Sequence, residues 1–140
     1  MAIEIERKFL VNDEQWREDV QSSLHMRQAY IASASASTVR IRTARTLSTQ
    51  NSGQEQAWLT LKGATAGLAK LEFEYPIPPS DAIEIMQKLT DSDVIEKTRH
   101  LLCFSDNEWV IDEFHASNDG LLVAEIELTA EDHRFELPPW

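Results

Sequence analysis

Strict alternation of apolar and polar residues constrains this chain more than any other property of its sequence. Residues 2–11 put Ile3, Ile5, Phe9 and Val11 on one parity and Glu4, Glu6 and Lys8 on the other. The same period recurs in 38–45, where Val39, Ile41 and Thr43 oppose Thr38, Arg40 and Arg42. In 57–62, Ala57, Leu59 and Leu61 oppose Trp58, Thr60 and Lys62. In 69–77 it sets Leu71, Phe73, Tyr75 and Ile77 against Lys70, Glu72 and Glu74, and in 121–129 it sets Leu122, Ala124, Ile126 and Leu128 against Glu125 and Glu127. Successive side chains of an extended chain point to opposite faces, so a period of two marks strands with one face buried. Segments 26–31, 94–104 and 108–115 are strand-like with weaker alternation, which brings the count to about eight strands.

Two segments carry helical spacing. Asn12 caps a helix expected over 13–24, with Asp13 and Glu14 in its first turn and Trp16, Val20 and Leu24 spaced by four. Ser80 caps a second over 81–90, where Ala82, Ile85, Met86 and Leu89 form one apolar stripe. Each helix is expected to lie over the apolar face of the sheet, with a third short helix after Thr129. Residues 32–37 and 47–56 read as loops. The fold class is α+β: an antiparallel sheet with a few helices packed outside.

A chain of 140 residues is one domain, 1–140. Thirteen Lys and Arg against twenty-four Asp and Glu leave a net charge of −11, which argues against a general nucleic-acid or anionic-membrane binder while allowing a local basic pocket. A single cysteine, Cys103, excludes an intrachain disulfide and fits a reducing compartment. The charged start (Glu4, Glu6, Arg7, Lys8) is unlike a signal peptide, and no apolar run is long enough to span a membrane, so a cytoplasmic location is expected. The sequence leaves a homodimer open.

The polar parity is where the chemistry lies. Like charges stand at i and i+2 in Glu4/Glu6, Arg40/Arg42, Glu72/Glu74, Lys97/Arg99 and Glu125/Glu127. At about 7 Å such a pair repels by roughly 0.6 kcal/mol in water and about 2.4 kcal/mol at an effective dielectric of 20. A single pair is the mark of a wet surface. Five pairs, with the opposite parity covered by helices, point to a shared cavity, and an eight-stranded sheet encloses one by closing into a barrel. Buried charges of both signs need partners. Paired carboxylates suit a hard divalent cation and paired Arg and Lys suit phosphate oxygens, so the expected ligand is a metal-bound polyphosphate.

These strands resemble a known family. Glu4-Ile5-Glu6-Arg7-Lys8 matches the ExExK signature of the CYTH superfamily, the triphosphate tunnel metalloenzymes. It is followed in family order by Gln28-Ala29-Tyr30-Ile31, Val39-Arg40-Ile41-Arg42, Leu59-Thr60-Leu61-Lys62, Leu71-Glu72-Phe73-Glu74, Glu96-Lys97-Thr98-Arg99, Val110-Ile111-Asp112 and Val123-Ala124-Glu125-Ile126-Glu127. The resemblance implies an eight-stranded antiparallel β-tunnel and Mg²⁺- or Mn²⁺-dependent hydrolysis of inorganic triphosphate or another small triphosphate or polyphosphate. It implies metal-holding roles for Glu4, Glu6, Asp112, Glu125 and Glu127, with Glu72 and Glu74 completing the acidic wall. Lys8, Arg40, Arg42, Lys62 and Arg99 would grip phosphate, joined by Lys70 and Lys97, and Glu4, Glu6, Lys8 and Arg99 would be catalytic. The alternatives are class IV adenylyl cyclase, thiamine triphosphatase and a non-catalytic polyphosphate-binding module. Relatives usually continue past a Pro-Pro-Trp like Pro138-Pro139-Trp140, so the resemblance also implies that a C-terminal segment is lacking.

The remaining motifs read as structure. His100-x-x-Cys103 lacks a second ligand pair for zinc. Gly63-x-x-x-Gly67-x-x-Lys70 lacks the ending of a phosphate loop and reads as a hairpin turn. His100 is expected to point outward with little consequence, and Trp16, Trp58, Trp109 and Trp140 to pack, Trp58 being the doubtful one because it shares the parity of Lys62.

Overall fold

The computed structural model describes residues 3–33, 37–47, 54–66, 69–90, 93–130 and 133–140. Its strands are β1 (Ile3–Leu10), β2 (Val20–Ser33), β3 (Ser37–Leu47), β4 (Gln56–Ala66), β5 (Ala69–Ile77), β6 (Ile95–Phe104), β7 (Asn107–Phe114) and β8 (Leu122–Glu127), with one α-helix among the described residues, α1 (Pro79–Lys88). They close into a barrel in the order β1-β5-β4-β3-β2-β6-β7-β8, every neighbouring pair antiparallel. β2 to β5 form one meander and β6 to β8 another. β1 is laid between β5 and β8, and β2 meets β6 to close the ring. The eight-stranded antiparallel barrel expected from the alternation is present.

The helix expected over 13–24 is not. Only Gln15–Asp19 is helical, as a 3₁₀ turn that buries Trp16, and from Val20 the chain is extended. A spacing of four is also an even spacing, so it fits alternate strand positions as well as a helical stripe. The strand wins because its backbone pairs on both sides, with β3 and β6, where a helix would leave the barrel open. A register shift between Val20 and Ser22 re-aims the strand at its start.

α1 forms close to expectation but begins on Pro78-Pro79 with Pro78 at the cap position, so Ser80 lies inside it. Proline presets the φ of the first helical turn, which moves the start upstream. Ala82 and Met86 bury against Ala29, Ile41 and Ala57, so this helix covers the outer face of β2, β3 and β4. A second cluster holds Trp16, Leu102, Trp109, Ile111, Ala124, Ile126 and Leu128 and is closed by Trp140 of the C-terminal segment. The Trp109 ring meets Phe9, Phe135 and Trp140 at 5.9, 5.9 and 5.7 Å. Trp16, Trp109 and Trp140 therefore pack as expected, and Trp58, opposite Arg42 in the ladder, is half-buried.

Of the hairpin turn expected over Gly63–Lys70, Gly63 lies within β4 and Lys70 within β5, and residues 67 and 68 lie outside the described residues. Most of the two expected loops (34–36 and 48–53) also lies outside, as do 131 and 132 of the third expected helix. The flanking Thr129, Ala130 and 133–140 are not helical.

Candidate functional site

Closure turns one parity of every strand inward. The cavity of about 1230 Å³ is lined by Glu4, Glu6 and Lys8 from β1, Gln28 and Tyr30 from β2, Arg40 and Arg42 from β3, and Lys62 from β4. Lys70, Glu72 and Glu74 of β5, Lys97 and Arg99 of β6, Asp112 of β7, and Glu125 and Glu127 of β8 complete it. Every candidate site residue from the sequence thus reaches one cavity. The barrel order places β3 and β8 across the ring from each other, so Arg40 and Arg42 look toward Glu125 and Glu127.

The acidic wall is crowded. Glu6 stands opposite Glu127 in the ladder, and Lys8 opposite Glu125. Lys8 Nζ is 3.7 Å from both Glu6 and Glu125, too far to neutralise either fully. Burial, then Glu125 and Glu4, push the Glu6 carboxyl above its usual range. On the β5 side Lys62 Nζ bridges Glu4 at 2.9 Å and Glu72 at 3.3 Å. Burial opposes the Glu4 charge, but Lys62 holds its carboxyl below the usual range, while burial and Glu4 push Glu72 upward.

The basic wall is divided between paired and free cations. Asp112, almost fully buried, accepts from Arg99 Nε at 2.8 Å, Arg99 Nη2 at 3.0 Å and Lys97 Nζ at 2.7 Å. Against its burial, these cations bring its carboxyl down to about 2. Burial, which Asp112 only partly offsets, takes Lys97 down to about 8. Arg42 Nε and Nη2 donate to Gln28 Oε1 at 3.1 and 2.8 Å. Burial, Arg40 and Arg99 push Arg42 down to about 9, and a guanidinium still holds its proton at neutral pH. Arg40 is buried with its Nε unbonded among the described residues. Among the described residues neither guanidinium is ion-paired with a carboxylate, and such a buried cationic corner is a receptor for anionic oxygen.

The acidic candidates differ in their surroundings. Lys97 and Arg99 bond both oxygens of Asp112. Among the described residues no three His, Cys, Asp or Glu side chains already converge as a metal site. The other candidates divide into a β1/β8 group (Glu6, Glu125, Glu127) and a β1/β5 group (Glu4, Glu72), with Glu74 bonded to Thr60 at 3.2 Å. A divalent ion draws such oxygens together only when present, and the raised Glu6 carboxyl marks negative charge that an ion would offset.

Sequence reasoning assigned no role to Gln28 or Tyr30, although both share the inward parity of β2. It also undervalued His100. This residue does point outward, but it hydrogen-bonds Ser23 at 2.8 Å and Glu113 at 3.0 Å and lies 5.0 Å from the Trp16 ring. Arg17 then binds Glu113 at 2.9 Å, which fastens the 3₁₀ turn to β7. Cys103 is exposed and lies on the other face of β6, so the zinc pairing has no geometry.

Comparison with known proteins gives the same direction. The CYTH domain profile matches residues 2–140. An inorganic triphosphatase of Acetivibrio thermocellus is 37% identical over 140 residues, covering 100% of this chain and 83% of that protein. The crystal structure of the inorganic triphosphatase NE1496 superposes with a TM-score of 0.61 at 28% identity, over 100% of this chain and 84% of that one. A Hippeastrum protein described as an adenylyl cyclase with a dominant triphosphatase activity shares the fold, with a TM-score of 0.61 at 14% identity over 93% of this chain and 80% of that one.

Proposed function

The chain belongs to the CYTH domain family, and from that premise we propose that it is a divalent-metal-dependent triphosphatase acting on inorganic triphosphate. The observation that carries the reading is the meeting of Arg40, Arg42 and Lys70 with Glu6, Glu125 and Glu127 in one cavity. Arg40 and Arg42 offer donors to phosphate oxygens, Arg through its planar fork. Asp112, expected to join the metal-holding set, also fixes Arg99 and Lys97, so that Arg99 presents its remaining donors inward. Glu4, Glu6, Glu125 and Glu127 are the side chains that would hold Mg²⁺ or Mn²⁺, with Glu72 and Glu74 beside them. When bound, the ion supplies Lewis-acid neutralisation of phosphate charge. Water attacks the terminal phosphoryl group in line, the bridging P–O bond breaks, and phosphate and pyrophosphate leave. The work asked of the protein is positioning and charge stabilisation, and no side-chain nucleophile is required.

The test is incubation with tripolyphosphate or ATP and either metal, followed by product identification. Phosphate release from tripolyphosphate supports the reading. Cyclic AMP from ATP would replace it with the cyclase, and tight binding without turnover with a binding module. Glu6→Gln should lower kcat by about 10²–10³, the scale of one lost electrostatic contact at a reacting centre. Full activity in that variant would remove β1 from the metal-holding wall.

A further inference from the structure

The cavity carries its charges unevenly from one end to the other. At the end where β7 and β1 begin and β8 stops, Glu108 is the second residue of β7, Glu4 the second of β1 and Glu127 the last of β8. Glu74, near the end of β5, continues the arc, because β7, β8, β1 and β5 are consecutive around the ring. All four line the cavity, and Glu74, Glu108 and Glu127 are exposed. The lining cations nearest this end, Arg42 and Arg99, sit only midway along β3 and β6.

The opposite end is cationic. Lys70 is the second residue of β5, Lys97 the third of β6 and Arg40 the fourth of β3, and Lys8 lies near the end of β1. Lys8 is exposed, so both ends of the cavity reach solvent. The carboxylates nearest this end each face a cation: Asp112 meets Lys97 and Arg99, Glu72 meets Lys62, and Glu125 meets Lys8. Neutral Tyr30, Thr38 and Phe114 line the same end. Arg40, buried and with its Nε unbonded among the described residues, belongs to this half and marks where an anion settles.

Charge decides which end such an anion can use. A chain of net charge −11 repels an oligophosphate over much of its surface, and low-dielectric walls focus the field of whatever charges ring a cleft. At one mouth that field attracts the anion; at the other it meets exposed carboxylates before it reaches a cation. We propose that the anionic substrate enters, and its anionic products leave, only by the mouth of Lys8, Thr38 and Lys70, and that Glu108 and its neighbours close the other mouth to anions by charge. The inference rests on the triphosphatase reading for the identity of the anion, and it gives Glu108 a role in access that is separate from holding the ion.

Stopped-flow tryptophan fluorescence of the whole chain, mixed with tripolyphosphate in a chelating buffer at low salt, tests it by association rate and not by turnover. Thr38→Glu, which puts a carboxylate at the cationic mouth, should slow association by about fivefold to tenfold, and added salt should shrink the effect. Dissociation should slow with it, because a residue at the only port hinders entry and exit alike. Glu108→Gln should leave the association rate within about twofold, since the other carboxylates still guard that mouth. Glu108→Lys in the Thr38→Glu background should restore part of the lost rate by opening the second mouth. Should Thr38→Glu fail to fold by circular dichroism, Ser37→Glu, at the exposed first position of β3, takes its place with the same expectation. Two equivalent mouths would limit the slowing to about twofold, so a smaller loss than that overturns the proposal, as does a Glu108→Gln chain that binds markedly faster. A parent chain that binds no tripolyphosphate overturns the triphosphatase reading and this inference together, whereas binding without a port effect overturns this inference alone.

Discussion

Arg42 shows how a buried cation is kept for a ligand. Its Nε and Nη2 are tied to Gln28 Oε1, which fixes the plane of the guanidinium without cancelling its charge, because an amide is a dipole and not an anion. Asp112 does the opposite for Arg99, orienting it by a two-point contact and neutralising part of its charge. Arg42 is therefore the stronger anion receptor of the two. Arg42→Ala should raise KM for triphosphate by about tenfold to a hundredfold, the equivalent of ~1.5–3 kcal/mol for a charge-assisted hydrogen bond. Arg42→Lys should recover little of it, since an ammonium cannot face Gln28 and a phosphate with one planar fork. Steady-state kinetics on tripolyphosphate check both, and an unchanged KM would take Arg42 out of the phosphate contacts. Parity alone told that Arg40 and Arg42 share a face. It did not tell that Gln28 holds one of them, because that pairing depends on β2 lying beside β3.

At the scale of elements, the hairpin joining β6 and β7 carries a local cost. Ser105 and Asp106 have φ of 51° and 64°, the left-handed pair of a two-residue type I′ turn. Asp tolerates that region, whereas Ser accepts it less readily. Ser105→Gly should relieve the strain and stabilise the protein by about 0.5–1 kcal/mol, read as a raised midpoint in chemical denaturation. The other element to depart from sequence logic is β2. Trp16, Val20 and Leu24 carry helical spacing, yet only the first is on a helical turn. Local periodicity could not decide this, because the stronger claim on Val20–Ser33 comes from two distant strands, β3 and β6. α1 was legible because its apolar stripe is unambiguous and its start is marked by two prolines.

For the whole molecule, the acid response follows from carboxyls outside and inside the barrel. Glu113, held by Arg17 and His100, and Asp112, held by Arg99 and Lys97, both sit near about 2 when folded, against ordinary values of 4.5 and 3.8. A depressed folded value means stability that is complete above the unfolded value and is lost as pH falls through the folded one. Glu6 and Glu72 have the opposite sign: their raised folded values mean that acid relieves a cost they impose at neutral pH. Thermal melts should therefore show a falling midpoint between about pH 4.5 and 2. Glu113→Gln should flatten that limb while leaving cavity charges in place, and an unchanged limb would show that the Arg17–Glu113–His100 link contributes nothing to folding.

Apart from the first part of β2, the sequence by itself determined the strands, their shared parity and hence the mixed-charge lining, because a period of two is a local property that survives in any sheet. It also set the acidic excess and the order of the charged pairs along the chain. Only the tertiary structure decided which charges meet: Asp112 with Arg99 and Lys97, Lys62 with Glu4 and Glu72, Arg42 with Gln28. Those partners are set by strand order and register around a closed ring. Strand order comes from long-range pairing and the sealing of β2 against β6, which no window of the sequence contains.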